Sequence, residues 1–175
     1  PAWLTVVGIG DGGLTCLAPE QRAAIDAARH VVGGARHLAL LDGVAATANR
    51  HRWSSPFDAS RATIEALAGQ PTVVLASGDP SWFGPVAWLR RFLPADAMLV
   101  LPSPSSFSLA AARLGWALED VACLSAHGRP VSTLAASFGA GRRLLILSAD
   151  GTTPGEVASL PVSYTHLTLP TILLV

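Results

Sequence analysis

The chain has 175 residues, half of them hydrophobic, with 12 basic and 12 acidic side chains. Sparse, balanced charge without a basic patch excludes a nucleic-acid footprint, and no apolar run reaches membrane-spanning length. All 12 basic side chains are arginine, so lysine Schiff-base chemistry and a Walker-type phosphate loop are excluded as well.

The elements follow in chain order. Trp3 to Ile9 reads as a buried strand ending at glycine. Pro19 opens a helix through Ala28, with Glu20 in the first turn, where the helix dipole favours an anion. His30 to Val32 is a short strand closed by Gly33-Gly34, Ala35 to Leu41 a helical turn or two, and Arg50 to Trp53 a third strand. A helix over Ser60 to Ala68 precedes the clearest central strand, Thr72 to Ala76. Asp79-Pro80 is expected to cap a helix carrying Val86 to Phe92, and Met98 to Leu101 is the next strand. Pro102-Ser103-Pro104 reads as a linker; beyond it Ser105 or Ser106 caps a helix that runs to Leu114 and ends at Gly115. Val121 to Leu124 is a strand, Val131 to Phe138 a helix and Arg143 to Leu147 a strand. Alternation of this kind predicts an α/β fold with a mostly parallel sheet, divided into a first lobe over 1–101 and the start of a second over 102–161.

Both ends of the chain differ from this pattern. Pro1-Ala2-Trp3 has neither an initiating methionine nor the basic region of a signal peptide. From Val162 to Val175 alanine, arginine and glycine give way to threonine and leucine, and the only tyrosine appears. That string reads as the translation of a sequencing-library adapter, which would leave the second lobe truncated; the alternative is an ordinary β-strand. Cys16 and Cys123 lie far apart with no metal-type spacing and are expected to be buried, inert thiols of a reduced, cytoplasmic protein.

Chemistry concentrates in glycine loops that follow strands, where the backbone can turn tightly and approach a ligand without an intervening Cβ. Gly8, Gly10 and Gly13 have dinucleotide-binding spacing. Two features oppose that reading: helix-type sequence waits until Pro19, and no acidic residue follows Val32 to hold a ribose. Ser77-Gly78-Asp79-Pro80 reads either as a plain helix cap or as a rigid loop that holds a cofactor. Trp82 and Phe83 beside it are read as packing residues, with stacking on a flat ligand as the alternative. His127, next to Gly128 at a strand end, is a candidate proton shuttle. His30, His37 and His51 are scattered without metal-ligand spacing. Without paired carboxylates or a nucleophile elbow, the chemistry points to a cofactor that carries its own reactivity.

Several strings together resemble the tetrapyrrole (corrin/porphyrin) methyltransferases. They are Val6-Val7-Gly8-Ile9-Gly10 with Leu17-Ala18-Pro19, Gly33-Gly34-Ala35-Arg36-His37-Leu38, and Ala76-Ser77-Gly78-Asp79-Pro80 with Phe83-Gly84. Pro104-Ser105-Ser106 with Leu109 to Gly115, and Ser125-Ala126-His127-Gly128-Arg129, complete the set. The Gly-Gly-x-Arg-His-Leu string is similar to the precorrin-6Y branch, of the CbiE and CobL type. The resemblance, which runs from Trp3 to about Gly155, implies two α/β lobes with S-adenosylmethionine in the cleft between them. It implies that Ser77, Gly78 and Asp79 contact the cofactor largely through backbone, joined by Ser105 and Ser106. The family's usual Pro-Gly before the serine pair is here Ser103-Pro104. Gly8, Gly10 and Gly12 would lie on the tetrapyrrole side, with Asp11 and His127 as candidate proton acceptors or substrate orienters. The implied reaction is methyl transfer to carbon 5 of a precorrin in cobalamin biosynthesis, by a homo-oligomer of the intact protein. An inactive truncated fragment and a dinucleotide-binding oxidoreductase are the competing readings.

Overall fold

The computed structural model describes residues 2–42 and 47–160, together with the backbone of Leu173–Leu174. The chain divides into two units, residues 1–105 and 106–175.

The first unit is built on five strands: β1 (Leu4–Ile9), β2 (His30–Gly33), β3 (Asn49–Arg52), β4 (Thr72–Ser77) and β5 (Met98–Leu101). All pair in parallel, in the spatial order β3-β2-β4-β1-β5. The central strands are continuous apolar runs because parallel sheets are covered on both faces. Their residues still alternate with the pleat. Val7, Ile9, Val31, Val73 and Leu75 enter one core cluster with Ile25 and Leu41. Leu4, Val6, Val32 and Val74 enter the other with Ile64, Leu67 and Leu89. The first cluster is covered by α1 (Pro19–Asp26), the second by α3 (Ser60–Ala66) and α4 (Val86–Leu89), while the one-turn helix α2 (Ala35–Ala39) follows β2 directly.

The second unit contains α5 (Ser106–Leu114), β6 (Val121–Ser125), β7 (Arg143–Leu147), α6 (Thr153–Ser159) and β8 (Leu173–Leu174), with β6-β7-β8 forming a parallel sheet. Gly115 ends α5 at φ +65°, its N–H on the Ala112 carbonyl and the Trp116 N–H on that of Ala111. This is the Schellman arrangement expected of a C-terminal glycine.

Three local expectations are corrected. Asp79-Pro80 caps no helix: α4 starts only at Val86, because Pro85 has no N–H to extend the helix upstream and Phe83 takes a left-handed φ of 54°. Val131–Ser137 forms 3₁₀ turns rather than an α-helix. Cys16 is exposed rather than buried, its sulfur lying against Gly12 at the solvent side of a 3₁₀ turn over Gly13–Cys16, whereas Cys123 is half-buried on β6. The helix α6 was not anticipated; it is organised by Asp150, whose Oδ1 accepts the N–H groups of Thr152 at 2.9 Å and Thr153 at 3.2 Å. The altered composition over 162–175 falls outside the described residues, except that Leu173 and Leu174 pair with Leu145 and Ile146 of β7.

Candidate functional site

β1, β4 and β5 end side by side, with Ile9 opposite Ser77 and Val7 opposite Leu101. Their following loops interlock. The Gly78 N–H donates to the Ile9 carbonyl at 2.8 Å, and the Ser103 N–H donates to the Gly78 carbonyl at 3.1 Å. The Ser103 hydroxyl donates to the Gly8 carbonyl at 2.8 Å. A Cβ on Gly8 would collide with the Gly78 carbonyl oxygen and stand 2.8 Å from the Ser103 nitrogen. Gly78 needs glycine twice over: its φ is +57°, and a Cβ there would lie 3.1 Å from both the Pro104 oxygen and the Ser105 Cα. Three strand ends thus converge by backbone-on-backbone approach at the carboxyl edge of an open parallel sheet, the place where α/β proteins bind ligands.

Gln21 locks the convergence. It occupies the third position of α1, where its Oε1 accepts the Ala18 N–H at 2.8 Å, half of a capping box. Its Nε2 points inward, with the carbonyls of Gly8, Leu101 and Pro102 and the Ser103 hydroxyl all at 3.1–3.2 Å. A side-chain amide only 4% exposed needs such partners, because an unpaired buried donor costs about 1–3 kcal/mol.

Ser77 marks the other side of the loop. Arg36 Nη2 donates to its hydroxyl at 3.2 Å, and His37 Nε2 lies 3.1 Å from the same oxygen. Burial, and then the Arg36 charge, hold His37 below its ordinary pKa. With a guanidinium already donating to Ser77, a neutral His37 that accepts the Ser77 proton at Nε2 satisfies all three groups. Asp79 Oδ1 accepts the Ser81 N–H at 2.8 Å and Asp79 O accepts that of Trp82 at 3.1 Å, so this carboxylate fixes its own turn.

Among the expected site residues, Gly8, Gly78, Asp79, Ser77 and Ser105 therefore share one edge of the first unit. Gly10 borders it, a Cβ there lying 3.6 Å from the Ser103 Cβ. Gly12 and Asp11 are exposed on the turn beyond, with Gly12 against Cys16. Ser106 opens α5, and exposed His127 follows β6, its N–H on the Ser125 hydroxyl at 3.1 Å; both belong to the second unit. Gln21, Ser103 and the Arg36–His37 contact with Ser77 were not foreseen as site features. Gln21 carried a signal, since it shares a helical face with Ile25 and Ala28, where a solvent-facing amide is out of place. His30 and His51 are not scattered, because Nδ1 of the first meets Nε2 of the second at 3.1 Å. Among the described residues no group of three or more histidine, cysteine, aspartate or glutamate side chains could hold a metal, and no helix is long and apolar enough to cross a membrane.

The fold and this edge define an α/β protein whose glycine loops meet at the carboxyl ends of parallel strands. A four-residue 3₁₀ turn, and no α-helix, follows Gly12, so the dinucleotide arrangement is not formed. Residues 3–160 match the family model of the tetrapyrrole (corrin/porphyrin) methylases, and the chain belongs to that family. The match extends through α6, beyond the Gly155 limit read from the sequence. The chain is 45% identical over 161 residues, 92% of its length, to a Sinorhizobium precorrin-6Y C(5,15)-methyltransferase [decarboxylating]. It is 34% identical over 129 residues, 74% of its length and 63% of the relative's, to a Salmonella typhimurium cobalt-precorrin-7 C(5)-methyltransferase. It spans 39% of the length of the Sinorhizobium relative and of a Mycobacterium tuberculosis protein with the same description. The crystal structure of a cobalamin-biosynthesis precorrin-6Y methylase (cbiE) from Archaeoglobus fulgidus superimposes with a TM-score of 0.62 at 26% identity, over 84% of this chain and 73% of that one. The methyltransferase CobJ does so with a TM-score of 0.60 at 26% identity, over 78% and 62%.

Proposed function

We propose that this chain is the carbon-5-methylating part of an S-adenosylmethionine-dependent precorrin methyltransferase of cobalamin biosynthesis. The observation that carries the reading is the interlock of Gly8, Gly78 and Ser103, which needs glycine at two strand ends of the family's fold. The names of the relatives, which include C(5)- and C(5,15)-methyltransferases acting on precorrins, supply the reaction.

S-adenosylmethionine supplies an electrophilic methyl group when bound, and a reduced tetrapyrrole supplies a nucleophilic ring carbon. The chain therefore has to align the two in line and keep water away. Ser77, Gly78 and Asp79, with Ser105 and Ser106, are assigned to the cofactor, and Gly8, Gly10 and Gly12 to the tetrapyrrole. Gly78 has already committed its N–H to Ile9 and its carbonyl to Ser103. Its role is to let the backbone pass, and contacts to the cofactor fall to its neighbours. Asp11 and His127 are the assigned acceptors for the proton lost from the ring carbon, and both are exposed.

Calorimetric titration with S-adenosylmethionine and with NAD tests the reading. Binding of the first and no heat with the second is expected; the reverse would reject the assignment. Asp79→Ala removes the carboxylate that holds the Ser81 N–H, a bond worth about 1 kcal/mol, and should weaken S-adenosylmethionine binding roughly fivefold. Unchanged affinity would remove Asp79 from the site.

A further inference from the structure

We infer that Arg36, His37 and Ser77 form a carboxylate-recognition subsite at the carboxyl edge of the first unit's sheet. The inference rests on the functional reading above, since it names what that site holds. Three observations support it. The first is the state of the Arg36 guanidinium. Arg36 has no carboxylate within ion-pair distance among the described residues; its one hydrogen bond there is to the Ser77 hydroxyl. A guanidinium has five N–H donors in a rigid fork shaped for a carboxylate, so a single bond to serine leaves the fork to an external anion.

The second is position. Ser77 closes β4 and immediately precedes Gly78, so the Arg36 side chain is held beside the glycine loop rather than directed away from it. The tether is doubled by His37 on the same hydroxyl. Such second contacts orient a binding group and reduce the entropy lost when a ligand docks. The third is the surrounding charge. Arg52 ends β3 in register with Gly33, the last residue of β2, and is likewise exposed without an ion pair among the described residues. Among the acidic side chains on the neighbouring segments, Asp42 is paired with Arg50, whereas the Asp58 and Asp79 carboxylates accept only the neutral N–H groups of Trp88 and Ser81. Arg36 and Arg52 are the cationic groups on the β2 and β3 side of this edge. A fork of this kind takes a carboxylate, which reaches the site on either of two molecules: the acidic side arms of a tetrapyrrole or the amino-acid end of S-adenosylmethionine.

Two titrations of the whole chain decide between the sources. One uses uroporphyrin, an octacarboxylate, followed by fluorescence. The other compares S-adenosylmethionine with its decarboxylated form by calorimetry. In Arg36→Gln, uroporphyrin affinity is expected to fall at least tenfold if the carboxylate is the tetrapyrrole's. If it is the cofactor's, S-adenosylmethionine affinity falls at least tenfold while that of the decarboxylated form stays constant. Arg36→Lys should recover only part of the loss, because a point charge does not reproduce the fork. Arg61→Gln, an exposed charge change on α3, is the control and should leave both affinities unchanged. Equal affinities in Arg36→Gln and the parent chain, in both titrations, overturn the subsite and leave the functional reading standing. A parent chain that takes up neither probe overturns the functional reading, and this inference with it.

Discussion

Gly8, near the end of β1, and Gly10, just beyond it, sit two positions apart, and their surroundings assign them different work. At Gly8 the space for a Cβ is occupied by main-chain atoms of Gly78 and Ser103, which cannot step aside without dragging two strand ends. At Gly10 the nearest atom to a Cβ would be the Ser103 Cβ at 3.6 Å, ordinary contact. Gly8→Ala should lower unfolding free energy by about 2–4 kcal/mol, and Gly10→Ala should change it by less than about 1 kcal/mol. Urea denaturation of the two variants checks the contrast; equal costs would mean the strand ends are not interlocked. Gln21 gives a second contrast at this scale. Gln21→Glu keeps size, helix propensity and a favourable charge for the first turn of α1, yet sets a carboxylate against the carbonyls of Gly8, Leu101 and Pro102. It is expected to destabilise by about 2–4 kcal/mol at pH 7. Burial among acceptors raises the carboxyl pKa, so the penalty should shrink as pH falls towards 4, when the protonated acid can donate again. A penalty constant from pH 7 to pH 4 would contradict the assigned partners.

At the scale of elements, β2 and β3 are joined by a histidine pair. His51 is pushed below its ordinary pKa by burial and then by His30, whose Nδ1 it meets at 3.1 Å; His30 Nε2 faces the Gln70 Oε1 at 3.0 Å. A histidine whose folded pKa is depressed favours the folded state above its unfolded value, near 6.5, and that contribution is lost as pH drops through the folded value. His37, depressed by burial and Arg36, acts in the same direction. The denaturation midpoint of the parent chain should therefore fall between pH 8 and pH 5, and His51→Gln should reduce the fall by removing one of the two contributions. Parallel pH profiles for the two proteins would show that His51 does not titrate in this way. The pairing itself was hidden in the sequence, where 21 residues separate the two rings. Strands were the legible elements: β1, β2, β4, β5, β6 and β7 are apolar runs bounded by glycine, proline or polar turns, and each lies where its run does. Helices were read less well. Val131–Ser137 has helical propensity but turns too tightly, and α4 is shortened by Pro85. α6 is short, and its start signals, Asp150 and Pro154, are its main mark in the sequence.

Over the whole molecule, parallel pairing was legible because continuous apolar runs alternate with helical segments, and the family resemblance was legible because its strings lie on strand ends. The site was only partly so. Glycines at strand ends announce themselves; the side chains that clamp them do not, because Gln21 and Ser103 act across 82 residues of sequence. The first unit closes at Ser105, three residues beyond the linker's first proline, Pro102, since Ser103 is bonded back to the Gly78 loop.

That bond bears on how substitutions at this loop are interpreted. Both peptide groups of Gly78 are spent on its neighbours, one towards Ile9 and one towards Ser103. A variant at this position that no longer takes up its ligand would owe the defect to a dismantled scaffold and would say nothing about chemical recognition. Scanning mutagenesis guided by sequence motif alone would rank this glycine first among binding residues, when its measurable part is that of a keystone between three strand ends.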